Sequence, residues 1–242
     1  GTFTISPKEI TVTITPNGGT YEGNIISAAA VLNGLVGEDK PEIILTYAGK
    51  ANDGTEVNGT KTPVLAGTYT VTASITDSNY NLKAEGTTAE FVVTKATPGL
   101  SVAAVSDKSY GEGAFKLGVS NKGDGLKSYV SSNEKVVTVD EKGTITIVGA
   151  GTATLTVSLA ESANYTADRK AVTVTVAPKE ITVTADNQKK IAGEADPVLT
   201  YTADGLVGED TLSGITVKRK AGEKVGTYTV TVSPVSYTHL RA

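Results

Sequence analysis

The sequence has no cysteine, no methionine and no tryptophan, and a single histidine in 242 residues. Without cysteine there is no disulfide framework and no thiolate metal site. Any Ser-His-Asp or Cys-His catalytic arrangement would have to pass through His239, which lies in a C-terminal tail treated separately below. No apolar run approaches the roughly 20 residues of a membrane-spanning helix. Lys and Arg number 22 against 26 Asp and Glu, a net charge of −4 with the signs mixed along the chain. No basic face is visible that would neutralise phosphates, which argues against nucleic acid. No stretch has a convincing amphipathic helical period. Together with the missing methionine, the start at Gly1 suggests a processed product or a fragment.

What is abundant is Thr, Val and Gly, the last at 26 residues. Thr and Val are β-branched and favour strands; Gly serves the turns between them. Internal repetition organises the chain. PKEITVT occurs at Pro7–Thr13 and Pro178–Thr184, and GLVGED at Gly34–Asp39 and Gly205–Asp210, so both shift by 171, from 7 to 178 and from 34 to 205. GTYTVT occurs at Gly67–Thr72 and Gly226–Thr231, a shift of 159 from 67 to 226. One domain type is therefore used twice. The first copy carries an insertion around Gly49, Asn52, Gly54, Asn58 and Gly59 that reads as an elongated hairpin or loop.

The expected organisation is all-β, as tandem sandwich domains in an extended rod. Residues 6–96 form a first domain, 97–177 a second, and 178–234 a third that is incomplete. Strands are expected at Glu9–Thr15, Ile26–Leu32, Glu42–Tyr47, Thr68–Thr76 and Ala89–Thr94. In the second domain they are expected at Leu100–Val105, Ala114–Val119, Leu126–Ser131, Val136–Val139, Thr144–Val148, Thr152–Leu159 and Lys170–Val176. About seven short strands at regular spacing imply a two-sheet sandwich. In the third they are expected around Ile181–Val183, Leu199–Thr202, Ile215–Lys218 and Thr227–Val232. Pro-containing junctions at Lys95–Pro98 and Ala177–Lys179 limit hinge freedom.

Both ends read as interrupted. Phe3 and Ile5 alternate with Thr2 and Thr4 just before PKEITVT, as Val172, Val174 and Val176 alternate before the second copy. Residues 1–5 are therefore expected to be the last strand of a lost upstream domain. The third domain stops soon after GTYTVT, before any equivalent of Ala89–Thr94. Residues 235–242, VSYTHLRA, resemble translated read-through of a transposase adapter used in sequencing libraries. That suggests an environmental contig, and the tail is excluded from fold reasoning.

Residues 128–157 resemble the bacterial Ig-like group 2 module at Asn133, Val136, Val139, Asp140, Gly143, Gly149, Gly151, Thr152 and Ala153. Residues 178–232 resemble the MBG-type module at Val183–Asp186, Ala195–Pro197, Leu199–Tyr201, Gly205-Leu206, Gly208–Asp210, Leu212–Gly214, Ala221–Glu223 and Val225–Tyr228. Ala192-Gly193 stands where that family usually has Tyr-Gly, while Tyr110-Gly111-Glu112 in the middle domain keeps the dipeptide. The first domain resembles a more divergent copy of the MBG-type module. The resemblance implies an Ig-like sandwich in an extracellular bacterial protein, often a large repetitive adhesin, and brings no catalytic residues.

Candidate chemistry is sparse, and no catalytic, cofactor-binding or metal residue is assigned. Gly149–Thr152 lacks the Gly-Lys-Ser/Thr of a phosphate loop and reads as a turn. Glu194, Asp196, Asp204, Glu209 and Asp210 form an acidic group for which a Ca²⁺ site is conceivable, but no Asp-x-Asp-x-Asp-Gly run supports it and turn and solvation roles are the better reading. Lys8 or Lys179 with Asn79 or Asn164 are the residues for a Lys–Asn isopeptide cross-link, against an ordinary reading as strand-end Lys and turn Asn. Tyr47, Tyr69, Tyr80, Tyr129, Tyr165, Tyr201 and Tyr228 read as core and corner residues ahead of a sugar-stacking platform. The sequons at Asn58 and Asn164 matter only in a eukaryotic secretory route.

The expected function is a structural spacer of a bacterial cell-surface or secreted protein, not an enzyme, with no cofactor and no membrane insertion in this chain. The alternatives are a module that binds a host or cell-wall glycan or a surface protein, and an accessory region of an extracellular carbohydrate-active enzyme. The expected state is a monomeric rod.

Overall fold

The computed structural model describes residues 1–23, 25 and 27–233. Every regular element among them is a β-strand. The tail 235–242, with its adapter resemblance and His239, lies outside the described residues. The chain divides into two compact units: residues 1–101, 119–128 and 157–170 form one; 102–118, 129–156 and 171–242 the other.

The first unit contains β1 (Lys8–Thr15), β2 (Gly19–Thr20), β3 (Ala29–Asn33), β4 (Ile43–Ala51), β5 (Glu56–Gly59), β6 (Gly67–Ile75), β7 (Tyr80–Leu82) and β8 (Thr88–Thr94). They make a three-stranded sheet, β3-β1-β7, and a five-stranded sheet, β2-β8-β6-β4-β5. Period-two alternation decides which side chains go inside. Ile10 and Val12 of β1 are buried, as are Tyr69, Val71 and Ala73 of β6, with Thr between them. Ile14 packs against the cluster of Tyr47, Tyr69, Val71, Phe91 and Val93, so the two sheets close on each other as a sandwich. Three rings anchor that core. Phe91 lies 5.9 Å from Tyr47 and 5.6 Å from Tyr69 between centroids. The Tyr69 hydroxyl donates to the Leu65 carbonyl at 2.9 Å, which satisfies the one polar atom that burying this side chain would strand. Burial also raises the pKa of that phenol.

The insertion of the first copy is an elongated hairpin. β4 runs on past Tyr47 to Ala51 because β6 pairs with its whole length, from Ile43↔Ile75 to Ala51↔Gly67. β5 returns along it from Lys50↔Glu56 to Tyr47↔Gly59. Where a strand was expected from Ile26, β3 begins at Ala29; Ile26 itself lies outside the described residues. Thr2–Ile5 takes no strand pairing among the described residues, and Phe3 and Ile5 are exposed.

The remaining strands are β9 (Ser101–Val102), β10 (Lys108–Ser109), β11 (Phe115–Lys116), β12 (Val119–Ser120), β13 (Lys127–Ser131), β14 (Val137–Val139), β15 (Thr144–Ile147), β16 (Gly151–Leu159) and β17 (Asp168–Ala177). They are ordered β10-β17-β16-β13, β11-β15-β14 and β12-β9. In the second unit β14 and β15 form a hairpin over Asp140–Gly143. The Asp140 carboxylate accepts from the backbone N–H groups of Thr144 at 2.7 Å and Lys142 at 2.9 Å. The Thr144 bond leads in holding its pKa below the usual carboxylate range. Gly143 sits at φ 75°, which an L side chain resists, so this turn needs glycine. The expected strand Leu100–Val105 shrinks to Ser101–Val102, and Ala114–Val119 breaks into β11 and β12.

The second repeat copy follows with β18 (Thr182–Ala185), β19 (Tyr201–Asp204), β20 (Thr216–Arg219) and β21 (Val230–Ser233). The β18–β19 register reproduces that of β1 and β3. Thr182 faces Asp204 as Thr11 faces Asn33. Val230, the counterpart of Val71, faces Arg219, so Arg219 takes the place opposite this strand that Tyr47 has in the first copy, one residue off the shift of 171. Among the described residues from 178 onward, however, no side chain is buried.

Candidate functional site

For a chain of repeated sandwiches the places where function can reside are loops, free edges and the joints between strands of successive segments. The first unit holds a joint built on the loop 161–166. Asn164 is its centre. Its side-chain carbonyl accepts from the Ala66 N–H at 3.0 Å, and its backbone carbonyl accepts from Ala96 N–H at 2.9 Å. Ala96 returns the bond by accepting from the Thr166 N–H at 2.9 Å. Asn52 Nδ2 donates to the Ala163 carbonyl at 3.0 Å. Lys95 pairs with Glu161 and donates to the Ser162 carbonyl at 2.7 Å. Tyr165 is buried and meets Tyr21 edge-on at 5.3 Å between centroids. Burial, and next the Glu22 carboxylate beside it, push its phenol up to about 12. Pro98 is fully buried in the same unit, so the linker Lys95–Pro98 is packed rather than free.

The second unit holds a smaller joint. The Tyr110 hydroxyl donates to Asp210 Oδ2 at 2.8 Å, in the GLVGED turn of the second repeat copy. In the first copy the equivalent Asp39 accepts from Tyr80, whose oxygen also accepts from the Val36 N–H at 3.1 Å. The middle segment thus supplies to the second copy the kind of tyrosine that the first copy takes from its own β7. Gly111 is required here. Its φ is 90°, and a Cβ would stand 2.7 Å from Val207 Cγ2.

A third cluster replaces a core with charge. Arg219 occupies Tyr47's place in register, beside Tyr228 at 5.6 Å, where Tyr69 would stand. Asp196 accepts from Arg219 and from Lys190, both at 2.8 Å, and these two cations hold its carboxyl down to about 2. Glu223 pairs with the same two cations, with its pKa lowered chiefly by Lys190. Tyr228 donates to the Lys224 carbonyl at 2.9 Å, the same corner that Tyr69 makes with Leu65.

These contacts place the residues weighed from sequence. Asp196 and Asp210 are engaged by donors, and no group of three or more His, Cys, Asp or Glu side chains suited to a metal occurs among the described residues. The five acidic residues of the third segment are therefore not brought together as a calcium site. Lys8 and Asn79 meet through backbone only, N–H to carbonyl at 2.8 Å, with both side chains exposed. The Asn164 amide is committed to Ala66 rather than to a lysine. All seven tyrosines weighed for sugar stacking are buried or half-buried. Tyr21 and the roles of Asn52 and Tyr110 escaped the sequence reading. The recurrence of Asn-Tyr at Asn79-Tyr80 and Asn164-Tyr165 was the available signal.

With this geometry in hand, comparison with known proteins is informative for two stretches. Residues 181–239 match the MBG domain (YGX type), and residues 110–161 match the intimin immunoglobulin-like domain. No curated protein matches the chain. Among solved structures, Drosophila N-cadherin EC1-3 is similar at 10% identity and TM-score 0.26, over 71% of this chain and 65% of that one. The S-layer protein SbsC is similar at 18% identity and TM-score 0.28, over 94% of this chain and 37% of that one. Its domains 4 and 5 alone align at 19% identity and TM-score 0.28, over 71% and 99%. The chain thus spans under two thirds of the N-cadherin structure and little over a third of the longer S-layer structure. Residues 110–161 and 181–239 carry the signature of bacterial immunoglobulin-like surface-protein modules, a structural and adhesive class.

Proposed function

We propose that this chain is a stretch of spacer in a bacterial cell-surface or secreted protein, of the repetitive adhesin kind, whose work is length and stiffness. The observation that carries this reading is the joint at Asn164. Four backbone or amide hydrogen bonds, a lysine pair and a buried tyrosine fix the loop 161–166 against Asn52, Ala66 and Lys95-Ala96. A linker tied on several sides transmits force and holds direction; a flexible tether would leave these groups to water. The packing of the tyrosines also favours a spacer over glycan capture, because a stacking platform needs an exposed ring face. Matched modules of a structural and adhesive class are consistent with this work and bring no catalytic chemistry.

The test pairs two measurements on the 242-residue chain. Small-angle scattering is expected to give an elongated profile, and an array of host and cell-wall glycans is expected to show no binding. Saturable binding to one glycan class would replace the spacer with an adhesive module. A compact scattering profile would remove the spacer outright.

A further inference from the structure

A sheet that is not closed into a barrel ends in two strands whose outer backbone groups have no ladder. In the first unit the five-stranded sheet ends at β2 and β5, and the three-stranded sheet at β3 and β7. Three of these four ends are blunted. β2 and β7 are two and three residues long, and β5 carries Glu56. β3 is Ala29-Ala30-Val31-Leu32-Asn33, with no charge, proline or glycine to break it. The second repeat copy does not keep this edge. The shift of 171 takes Val31 to Thr202 and Asn33 to Asp204, so its β19 ends on a carboxylate.

The ladder fixes which groups of β3 are free. Lys8 donates its backbone N–H to the Asn79 carbonyl at 2.8 Å, and the Ile10 carbonyl accepts from the Lys83 N–H at 2.9 Å. Backbone polar groups alternate between the two edges of a strand, so the even residues of β1 address β7 and Thr11, Thr13 and Thr15 address β3. Their partners Asn33, Val31 and Ala29 are therefore the residues that β1 holds by hydrogen bonds. Ala30 and Leu32 turn N–H and C=O the other way, and neither has a further backbone partner among the described residues. Their side chains share the inner face with Ile14 and Val12 and are half-buried. Val31 stands on the outer face and is 60% exposed.

We propose that β3 of one chain pairs antiparallel with β3 of a second copy about a two-fold axis at Val31, which joins two three-stranded sheets into one. The strand is its own complement. In this register Val31 lies opposite the second copy's Val31, Ala30 opposite its Leu32, and Leu32 opposite its Ala30. The Ala30–Leu32 pairs on either side of the axis are those with free polar groups, and each pair exchanges both of its N–H to C=O bonds. On the inner face the small side chain meets the large one. On the outer face the two valines cover each other, a cross-strand aliphatic pair. No charge lies within either paired strand to oppose the approach. The interface is isologous, so it closes at two chains. This pairing is independent of the spacer reading, which concerns a single chain, and it replaces the single rod expected from sequence with a two-fold pair.

Sedimentation equilibrium and amide exchange on the whole chain test this. The mean mass should rise with concentration from the 24.8 kDa of one chain toward twice that value and level there. The Ala30 and Leu32 amides should gain protection over the same range, while the Val31 amide, held by β1, is protected throughout. Val31→Lys and Val31→Glu each set like charges against one another across the axis. Each variant alone should stay at the single-chain mass, with exchange in β4 and β6 unchanged. An equimolar mixture of the two should return to the doubled mass, because opposite charges then meet across the axis. A single-chain mass for the parent at every concentration overturns the proposal, as does either variant assembling as the parent does. A mixture that stays at the single-chain mass overturns the register. A mass that climbs past two chains overturns the two-fold closure. Protection of Ala30 and Leu32 at every concentration places a segment of the same chain on this edge and overturns pairing between copies.

Discussion

Replacing Asn164 with alanine isolates the bond at the centre of the joint. Ala66 is fully buried, and its N–H has the Asn164 side-chain oxygen as partner at 3.0 Å. Alanine removes the acceptor and leaves a buried donor without one, a change that costs about 1–3 kcal/mol. The loss falls on β4–β6 of the first sandwich, although the substitution lies 98 residues from Ala66 in the chain. For a sandwich of this size each kcal/mol lowers the midpoint by about 4–8 °C. Amide exchange by NMR separates local from general effects. The Ala66 amide should lose protection, while the Ala96 amide keeps its bond to the Asn164 backbone carbonyl and stays protected. Asn164→Asp retains an acceptor oxygen and should preserve most of the Ala66 protection. If Asn164→Ala leaves both the Ala66 exchange rate and the first melting transition unchanged, the joint contributes nothing to the first sandwich and the coupling argument fails.

Three further outcomes follow from the geometry. Gly111→Ala should destabilise the second repeat copy by about 1–3 kcal/mol, since it adds a Cβ against Val207 at a positive φ; denaturant melts of that copy check it. Tyr69→Phe should cost about 1 kcal/mol by leaving the Leu65 carbonyl without its donor, and a melt that matches the parent would contradict the corner. Asp196 is held at about 2, below its unfolded value of about 3.9. Its contribution to stability is therefore present above pH ~4 and is lost as pH falls through about 2. A carboxyl-carbon titration should show that low midpoint, and Arg219→Gln should move it upward.

The strands that the sequence made legible are those with one buried face and a clean period of two. Ile10-Thr11-Val12 and Tyr69-Thr70-Val71-Thr72-Ala73 announce both their strand and its inner side, because core and solvent select alternate residues. The repeats then carry the assignment to the second copy, where the β18–β19 register matches that of β1 and β3. The strands β2, β7 and β10 were not legible. Each spans two or three residues and pairs in parallel with a distant strand, so nothing local marks it. The joints were hidden for the same reason. Asn164 and Ala66, and Tyr110 and Asp210, are brought together by tertiary structure across about a hundred residues, and no short-range spacing encodes such a contact. The acidic group of the third segment hid its ion pairs in the same way. Asp196 meets Arg219, which β20 places in the register position of a core tyrosine, and Lys190, and no local spacing marks either pairing.

The central claim is that the loop 161–166 is held in one body with β4, β6 and β8 of the first unit. Residual dipolar couplings measured on weakly aligned full chain test it most directly. Amides of β4, β6 and β8 and amides of residues 157–166 are predicted to fit a single alignment tensor, and Asn164→Ala combined with Tyr165→Ala is predicted to split it. Two independent tensors in the parent chain would show that the loop moves apart from the first sandwich, and would contradict the account.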